Sequence, residues 1–203
     1  MENRAPISML PRLLPVAWLL GQWLFFSSPS WAAPLSTAMS GDLIFREGTE
    51  PVSEAVLSVD KGRFSHVGML FKDGDAWKVI HSTPAEVQGR ADGVVIDSLT
   101  FFISPDRARQ WEVFHVQNVT QEERRTAVEW AADHKGTPFT ILGNRGLYCI
   151  TLVYEAWQAA GVDLGVKLTH LQVPLASGDF LLPSGLLQSS RLKHVEMKFP
   201  EGN

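Results

Sequence analysis

The chain lacks cysteine pairs and a strong excess of charge of either sign. Among its 203 residues there is one cysteine, Cys149, so an internal disulfide is excluded. Lys and Arg number 18 against 22 Asp and Glu, which gives a formal net charge of −4. No stripe of basic side chains of the kind that neutralises phosphates is present, so we expect no nucleic-acid partner.

Internal repeats and low-complexity tracts are also absent from the sequence. Hydrophobic residues make up 45% and charged residues 20%, a balance typical of a folded globular protein. Without its N-terminal segment the chain has about 170 residues, which suits one domain with a single core. We therefore predict one domain over residues 33–203.

The first 32 residues are predicted to be a signal peptide. Arg4 and Arg12 precede an apolar run over residues 13–26, and Ser30-Trp31-Ala32 has the small-x-small pattern of a cleavage site. The run is shorter than the roughly 20 residues of a membrane-spanning helix, although an uncleaved anchor is the alternative. We expect cleavage near Ala33 and export to the periplasm or the cell exterior.

Hydrophobic periodicity predicts several short strands and two helices. The Asp73-Gly74-Asp75 turn predicts a hairpin. Thr120 and Glu123 form a capping-box pattern that begins the first helix, and Gly136 ends it. The second helix is predicted from Cys149 to Ala160, and a loop over residues 173–190. Strands are predicted over residues 43–45, 66–72, 77–81, 93–97, 111–116 and 192–199. The fold class is therefore α+β, a mostly antiparallel sheet packed against helices.

Cys149 lies where a loop meets the second predicted helix. Free N–H groups and the helix macrodipole favour negative charge there, which predicts a lowered thiol pKa and a reactive thiolate. The same N–H groups can hold the oxyanion of an acyl-transfer reaction. A lone thiol in an exported protein otherwise needs burial to stay inert, and an inert core cysteine is the alternative.

Two of the six histidines are candidates for the base that such a thiol requires. His66 begins the first strand of the predicted hairpin and His81 ends the second, so the turn brings them together. One imidazole can then orient the other, as in a catalytic triad. A zinc site is the other use of paired histidines, but three or four ligands at suitable spacing are not apparent. We expect no metal and no cofactor.

Four short motifs follow one another along the chain: Gly41–Phe45 (GDLIF), Phe64–Met69 (FSHVGM), Gly136–Phe139 (GTPF) and Tyr148–Tyr154 (YCITLVY). In this order they resemble the motifs of the YiiX/YaeF-like permuted papain-like hydrolases, relatives of the NlpC/P60 and lecithin:retinol acyltransferase-like enzymes. In the permuted members the histidine-bearing strand precedes the cysteine-bearing helix, as it does here. The similarity spans roughly residues 41–185.

The resemblance implies a permuted papain-like, NlpC/P60-type fold with the cysteine at a helix N-terminus. It assigns Cys149 as the nucleophile, His66 as the base and His81 as the third catalytic residue, at a position where some relatives carry Glu. The sequence departs from the family at Ile150 and Thr151, where relatives often have Ser-Glu. These departures leave the nucleophile and the base in place.

Three functions remain open on the sequence alone. The first is a cell-wall peptide amidase or peptidase, favoured by the expected export and by the NlpC/P60 kinship. The second is a hydrolase or acyltransferase acting on an acyl lipid, favoured by the acyltransferase branch and by the apolar segment over residues 180–187. The third is a murein-binding module that has lost catalysis. We expect no stable protein partner in any of these cases.

Overall fold

The predicted strands assemble into one antiparallel sheet. The computed structural model describes residues 35, 37–141, 146–173 and 176–195. Its strands are β1 (Leu43–Gly48), β2 (His66–Asp73), β3 (Ala76–Thr83), β4 (Gly93–Ser98), β5 (Ala108–Val116), β6 (Leu168–Val173), β7 (Ala176–Leu181) and β8 (Leu192–His194). Six of them form a sheet in the order β4-β3-β2-β1-β5-β8, and β6 pairs with β7 in a separate two-stranded ribbon.

Five helices flank these strands in the described part of the chain: α1 (Pro51–Asp60), α2 (Leu99–Phe102), α3 (Gln121–Asp133), α4 (Cys149–Ala159) and α5 (Pro183–Leu187). The capping box predicted from Thr120 and Glu123 is confirmed at the start of α3. No helix among the described residues is both long enough and apolar enough to cross a membrane. The α+β prediction is therefore confirmed, with α3 and α4 packed together beside the sheet.

Alternation along β1 and β2 divides the core between the two faces of the sheet. Phe45, Val67 and Met69 are fully buried on the face that packs against α4. Ile44 and Leu70 point the other way, into a second cluster completed by α2. Because successive strand residues face opposite sides, this register also fixes the face on which each polar residue of β2 lies.

The predicted hairpin is confirmed. Asp73 pairs with Ala76, so β2 and β3 are joined by the two residues Gly74 and Asp75. Gly74 has a φ of 60°, a left-handed conformation that glycine adopts without steric cost. The turn thereby sets the register that continues to the far ends of both strands.

The loop predicted over residues 173–190 is wrong, because this stretch contains β7 and α5. Pro183 is at the start of α5, where its missing N–H costs no hydrogen bond, so it begins a helix rather than a loop. The strand predicted over residues 192–199 ends at His194, and residues 196–199 lie outside the described residues. The predicted signal peptide and its cleavage site also lie outside them.

Asp42, which precedes β1, is part of a buried network of hydrogen bonds. Its carboxylate is fully buried and accepts hydrogen bonds from Arg124 Nη1 (2.8 Å) and from the backbone N–H of Met39 (2.8 Å). His115 Nδ1 lies 2.7 Å from the same carboxylate. This buried ion pair fastens α3 to the start of β1.

We expect Arg124→Met to lower the free energy of unfolding by about 3–5 kcal/mol, because Asp42 is then left buried without its cationic partner. Chemical denaturation measures this change. The matched control is Arg125→Met on the same helix, since Arg125 is exposed and pairs with Glu122 and Glu129 in water. Equal stability of the two variants would contradict the structural role assigned to Asp42.

Candidate active site

Cys149 is the first residue of α4, and its side chain is only 8% exposed. Burial raises the pKa of the Cys149 thiol to about 11, although the backbone N–H groups of Val67, Ile150 and Cys149 itself act in the opposite direction. The expectation of a lowered pKa is therefore wrong. Desolvation of the thiolate outweighs the favourable field at the helix start.

His66 and His81 lie in contact, as the hairpin predicted. His66 Nε2 is 2.8 Å from His81 Nδ1, and the two rings meet edge to face. Gly68 permits this arrangement: a Cβ added there would clash with the side chain of Val79 and lie 3.1 Å from the Cβ of His81. Glycine in the His-Val-Gly motif thus makes room for the second histidine.

Both histidines are deeply buried, and this disfavours their charged forms. Burial, reinforced by the nearby Arg46 guanidinium and by His81, lowers the pKa of His66 well below its usual value. Burial also lowers the pKa of His81, although its hydrogen bond to Asp97 opposes the shift. At neutral pH both imidazoles are therefore neutral, and His66 is able to accept a proton.

Asp97 is a site residue that the sequence did not reveal. Its Oδ2 lies 3.0 Å from His81 Nε2, and Arg90 Nη1 donates to its Oδ1 at 2.8 Å. Although burial raises the pKa of Asp97, the His81 hydrogen bond and the Arg90 guanidinium outweigh it and hold that pKa below its ordinary value. The only signal in the sequence was the position of Asp97 in β4, whose pairing with β3 could not be derived from it.

Cys149 and His66 line one cavity of about 300 Å³. Cys149 approaches the start of β2 next to His66, where the Val67 N–H faces its sulfur. Among the described residues, no hydrogen bond joins the thiol to either histidine. Hydrogen bonds of this kind are often long in the absence of substrate, so a shared cavity and adjacent backbone are the geometry expected of such a pair.

The cavity also contains a buried charged network that sequence reasoning missed. Arg46 is 1% exposed and donates to the carbonyl of Phe102 (3.0 Å), to Glu50 Oε1 (3.2 Å) and to Glu86 Oε1. Thr83 donates to the same oxygen of Glu86. Arg46 is thus shared between two carboxylates, and Arg107 Nη1 lies 3.8 Å from Glu86 Oε2, so Arg46 is not free to pair with a carboxylate of a substrate.

His66, His81 and Glu86 form a group whose ligand atoms all lie within 4.8 Å of one another. As arranged, the two histidine nitrogens do not fit a tetrahedral zinc ion. Two nitrogens bound to one tetrahedral zinc lie about 3.3 Å apart, given Zn–N bonds of about 2.05 Å, and these two are hydrogen-bonded at 2.8 Å. Glu86 is also committed to the Arg46 cation. The two imidazoles are better placed to share a hydrogen-bonded proton than to bind a zinc ion.

A family model, "Permuted papain-like amidase enzyme, YaeF/YiiX, C92 family", matches residues 37–194. The chain belongs to the YaeF/YiiX family. The crystal structure described as metalloprotein yiiX from Escherichia coli O157:H7 superposes with a TM-score of 0.65 at 20% identity, over 80% of this chain and 98% of that one. At that identity the likeness shows the shared fold alone. None of the curated proteins matches the chain.

The family motifs serve different purposes in this member of the YaeF/YiiX family. The Gly-Asp motif supplies the buried Asp42 pair, and the His-Val-Gly motif supplies His66 and the space for His81. In the Gly-Thr-Pro-Phe motif, the Thr137 carbonyl accepts the N–H of Val94 and ties the motif to β4. Tyr148 exchanges hydrogen bonds with the backbone of Leu181, which fastens the start of α4 to the end of β7.

Three further histidines have structural or surface positions: His134, His170 and His194. His134 Nδ1 lies 2.7 Å from the carbonyl of Trp130, one turn earlier in α3. His170 forms an exposed pair with Asp179 across the β6–β7 ribbon. His194 lies 3.5 Å from Glu112 at the edge of the sheet. None of the three lines the cavity that contains Cys149.

We expect the rate of Cys149 alkylation by iodoacetamide to rise roughly tenfold per pH unit from neutral pH to about pH 10, without a plateau in that range. A pKa near 11 means that the thiolate fraction still grows there. The same protein unfolded in guanidinium chloride is the control, because its rate should level off above the ordinary thiol pKa of about 8.5. A plateau near neutral pH in the folded protein would contradict a buried neutral thiol.

Proposed function

We propose that this protein is a cysteine-dependent amidase that removes an acyl group with a substantial apolar part from an amine. The observation that carries the proposal is the apolar cavity that opens onto Cys149 and His66. Membership of an amidase family supports the bond type. Esters of the same acyl groups are expected to react too, because the attacked carbonyl is the same.

In the proposed reaction, His66 takes the thiol proton as Cys149 Sγ attacks the substrate carbonyl. The N–H at the start of α4 stabilises the oxyanion. The carbon–nitrogen bond then breaks, and His66 gives its proton to the departing amine. Water, deprotonated by His66, cleaves the thioester and releases the acid. Because thiol and imidazole are both neutral at rest, the proton moves during the attack rather than before it.

The apolar lining of the cavity supports an acyl substrate. Val52, Val56 and Val59 lie three and four residues apart along α1, so they form one face of that helix, and all three line the cavity. The rest of the lining includes the apolar residues Leu171, Phe180 and Leu182. A volume of about 300 Å³ is at the lower end of the range for small-molecule sites and suits a single chain.

Charge compensation in the cavity favours this substrate over a cell-wall peptide. Murein peptides carry several carboxylates, which require free cations for binding. Arg46, the only cation lining the cavity among the described residues, already pairs with Glu50 and Glu86. A cell-wall peptidase remains the second candidate, supported by the predicted signal peptide and by the NlpC/P60 resemblance.

Export is part of the proposal, and the basic, apolar and small-residue segments before Ala33 support it. The substrate would then be met in the periplasm or outside the cell. Mass spectrometry of the protein recovered from its producing cells tests this, since cleavage should leave an N-terminus near Ala33. An intact N-terminus in the cytoplasmic fraction would contradict it.

We expect Cys149→Ala to abolish release of the fluorescent amine from an acyl coumarin amide, because no acyl-enzyme can form. His81→Ala should lower kcat by about tenfold to a hundredfold, since His66 remains but is no longer oriented. Turnover retained by Cys149→Ala would rule out the mechanism. Unreactive Cys149 together with murein binding in a pull-down would instead support a binding module.

Filling the cavity distinguishes the substrate classes. We expect kcat/KM to rise from the acetyl to the hexanoyl and decanoyl coumarin amides, and Val56→Trp to remove this rise while leaving acetyl turnover nearly unchanged. Ser58→Trp is the matched control, because Ser58 lies on α1 but does not line the cavity. Release of peptides from purified murein without any dependence on chain length would favour the cell-wall candidate.

A further inference from the structure

Asp97 and Arg90 lie behind the two histidines and have no part in the reaction described so far. Hydrogen bonds lead from Arg90 to Asp97, from Asp97 to His81 and from His81 to His66. His81 is fully buried, and His66 is 7% exposed. The ring nitrogens in these bonds therefore have no water to exchange partners with, and the position of each proton is set by the neighbouring group.

The direction of the chain follows from its carboxylate end. An ionised Asp97 can only accept, so His81 carries its proton on Nε2. The Nδ1 of neutral His81 then has a lone pair and accepts the proton on Nε2 of His66. That leaves the lone pair of His66 on Nδ1, the one ring nitrogen that is free to take a proton from the thiol.

We propose that Asp97 is a positioning residue that acts through His81 to hold His66 in the tautomer able to act as a base. Asp97 touches neither the thiol nor the cavity. Some relatives have Glu at position 81, where it would orient the base directly. Here Asp97 orients the base through His81. The kinetic consequences of this inference rest on the proposed function. The tautomers of His66 and His81 are properties of the resting protein and can be measured without any substrate.

The hydrogen bonds from Arg90 to Asp97 provide a test of the proposal. Its Nη1 donates to both carboxylate oxygens of Asp97, at 2.8 and 3.1 Å. In Asp97→Asn, this donor should hold the amide oxygen and turn the amide NH₂ towards His81 Nε2. His81 must then carry its proton on Nδ1 and donate to His66 Nε2, which places the His66 proton on the nitrogen that the thiol needs.

The experiment is ring-nitrogen NMR of the 15N-histidine-labelled protein, combined with turnover of the decanoyl coumarin amide. In the wild type, both buried rings should be protonated on Nε2. In Asp97→Asn, both should change to Nδ1 and kcat should fall at least about tenfold, with KM nearly unchanged. A wild-type His81 protonated on Nδ1 overturns the proposal without any variant having to fold.

Removing Arg90 as well should reverse the effect. In Asp97→Asn/Arg90→Met, the amide is free to present its oxygen to His81, so the Nε2 tautomers and part of the activity should return. Asp97→Asn/Arg107→Met is the matched control, because Arg107 packs over the same Phe101 ring as Arg90 but does not bond Asp97. It should remain as inactive as Asp97→Asn.

The outcomes separate the two proposals. Rescue by Arg107→Met as well as by Arg90→Met, or no change of tautomer in Asp97→Asn, would overturn the role of Asp97. Wild-type protein with both rings protonated on Nε2 but with no turnover of any acyl amide would refute the proposed function and leave the tautomer assignment standing. A purely structural Asp97 would lower stability without producing rescue by removal of Arg90.

Discussion

The hydrogen bond between His66 and His81 is the interaction on which the rest of the site depends. It exists because a two-residue turn sets the register of β2 and β3 and because Gly68 leaves room between the strands. Both rings are buried away from water. A neighbouring charge can therefore determine which of the two imidazoles donates the hydrogen bond and which accepts it. In the proposed mechanism, the position of the proton in this hydrogen bond decides whether His66 can act as a base.

Burial has a second consequence for the nucleophile. A thiol at a helix start is usually activated by the local field, but here desolvation raises the pKa of Cys149 and lowers that of His66. Both changes favour the uncharged pair. In the proposed mechanism the thiol is therefore deprotonated only during the attack, and a neutral buried thiol is less open to oxidation than a thiolate. The apolar cavity beside Cys149 is also the feature that supports the proposed acyl substrate.

Local features were predictable because local physics determines them. The Asp-Gly turn, the capping box of Thr120 and the helix beginning at Cys149 each depend on a few neighbouring residues. The four short motifs that begin at Gly41, Phe64, Gly136 and Tyr148 were enough, in that order, to indicate the YaeF/YiiX family, which the match over residues 37–194 confirms. The loop prediction over residues 173–190 is wrong because no local pattern marks β6 as the pairing partner of β7, and because a proline can begin a helix as readily as it ends one.

By itself, the sequence determined the α+β class, the family and the neighbourhood of His66 and His81, since all three follow from short-range patterns. Only the tertiary structure decided that Asp97 stands behind His81, that Arg46 is neutralised by Glu50 and Glu86, and that the thiol is buried. The contacts involved join residues that lie far apart in the sequence: Arg46 and Glu86, for example, are separated by 40 positions. Strand order and packing bring such residues together, and no local periodicity encodes them.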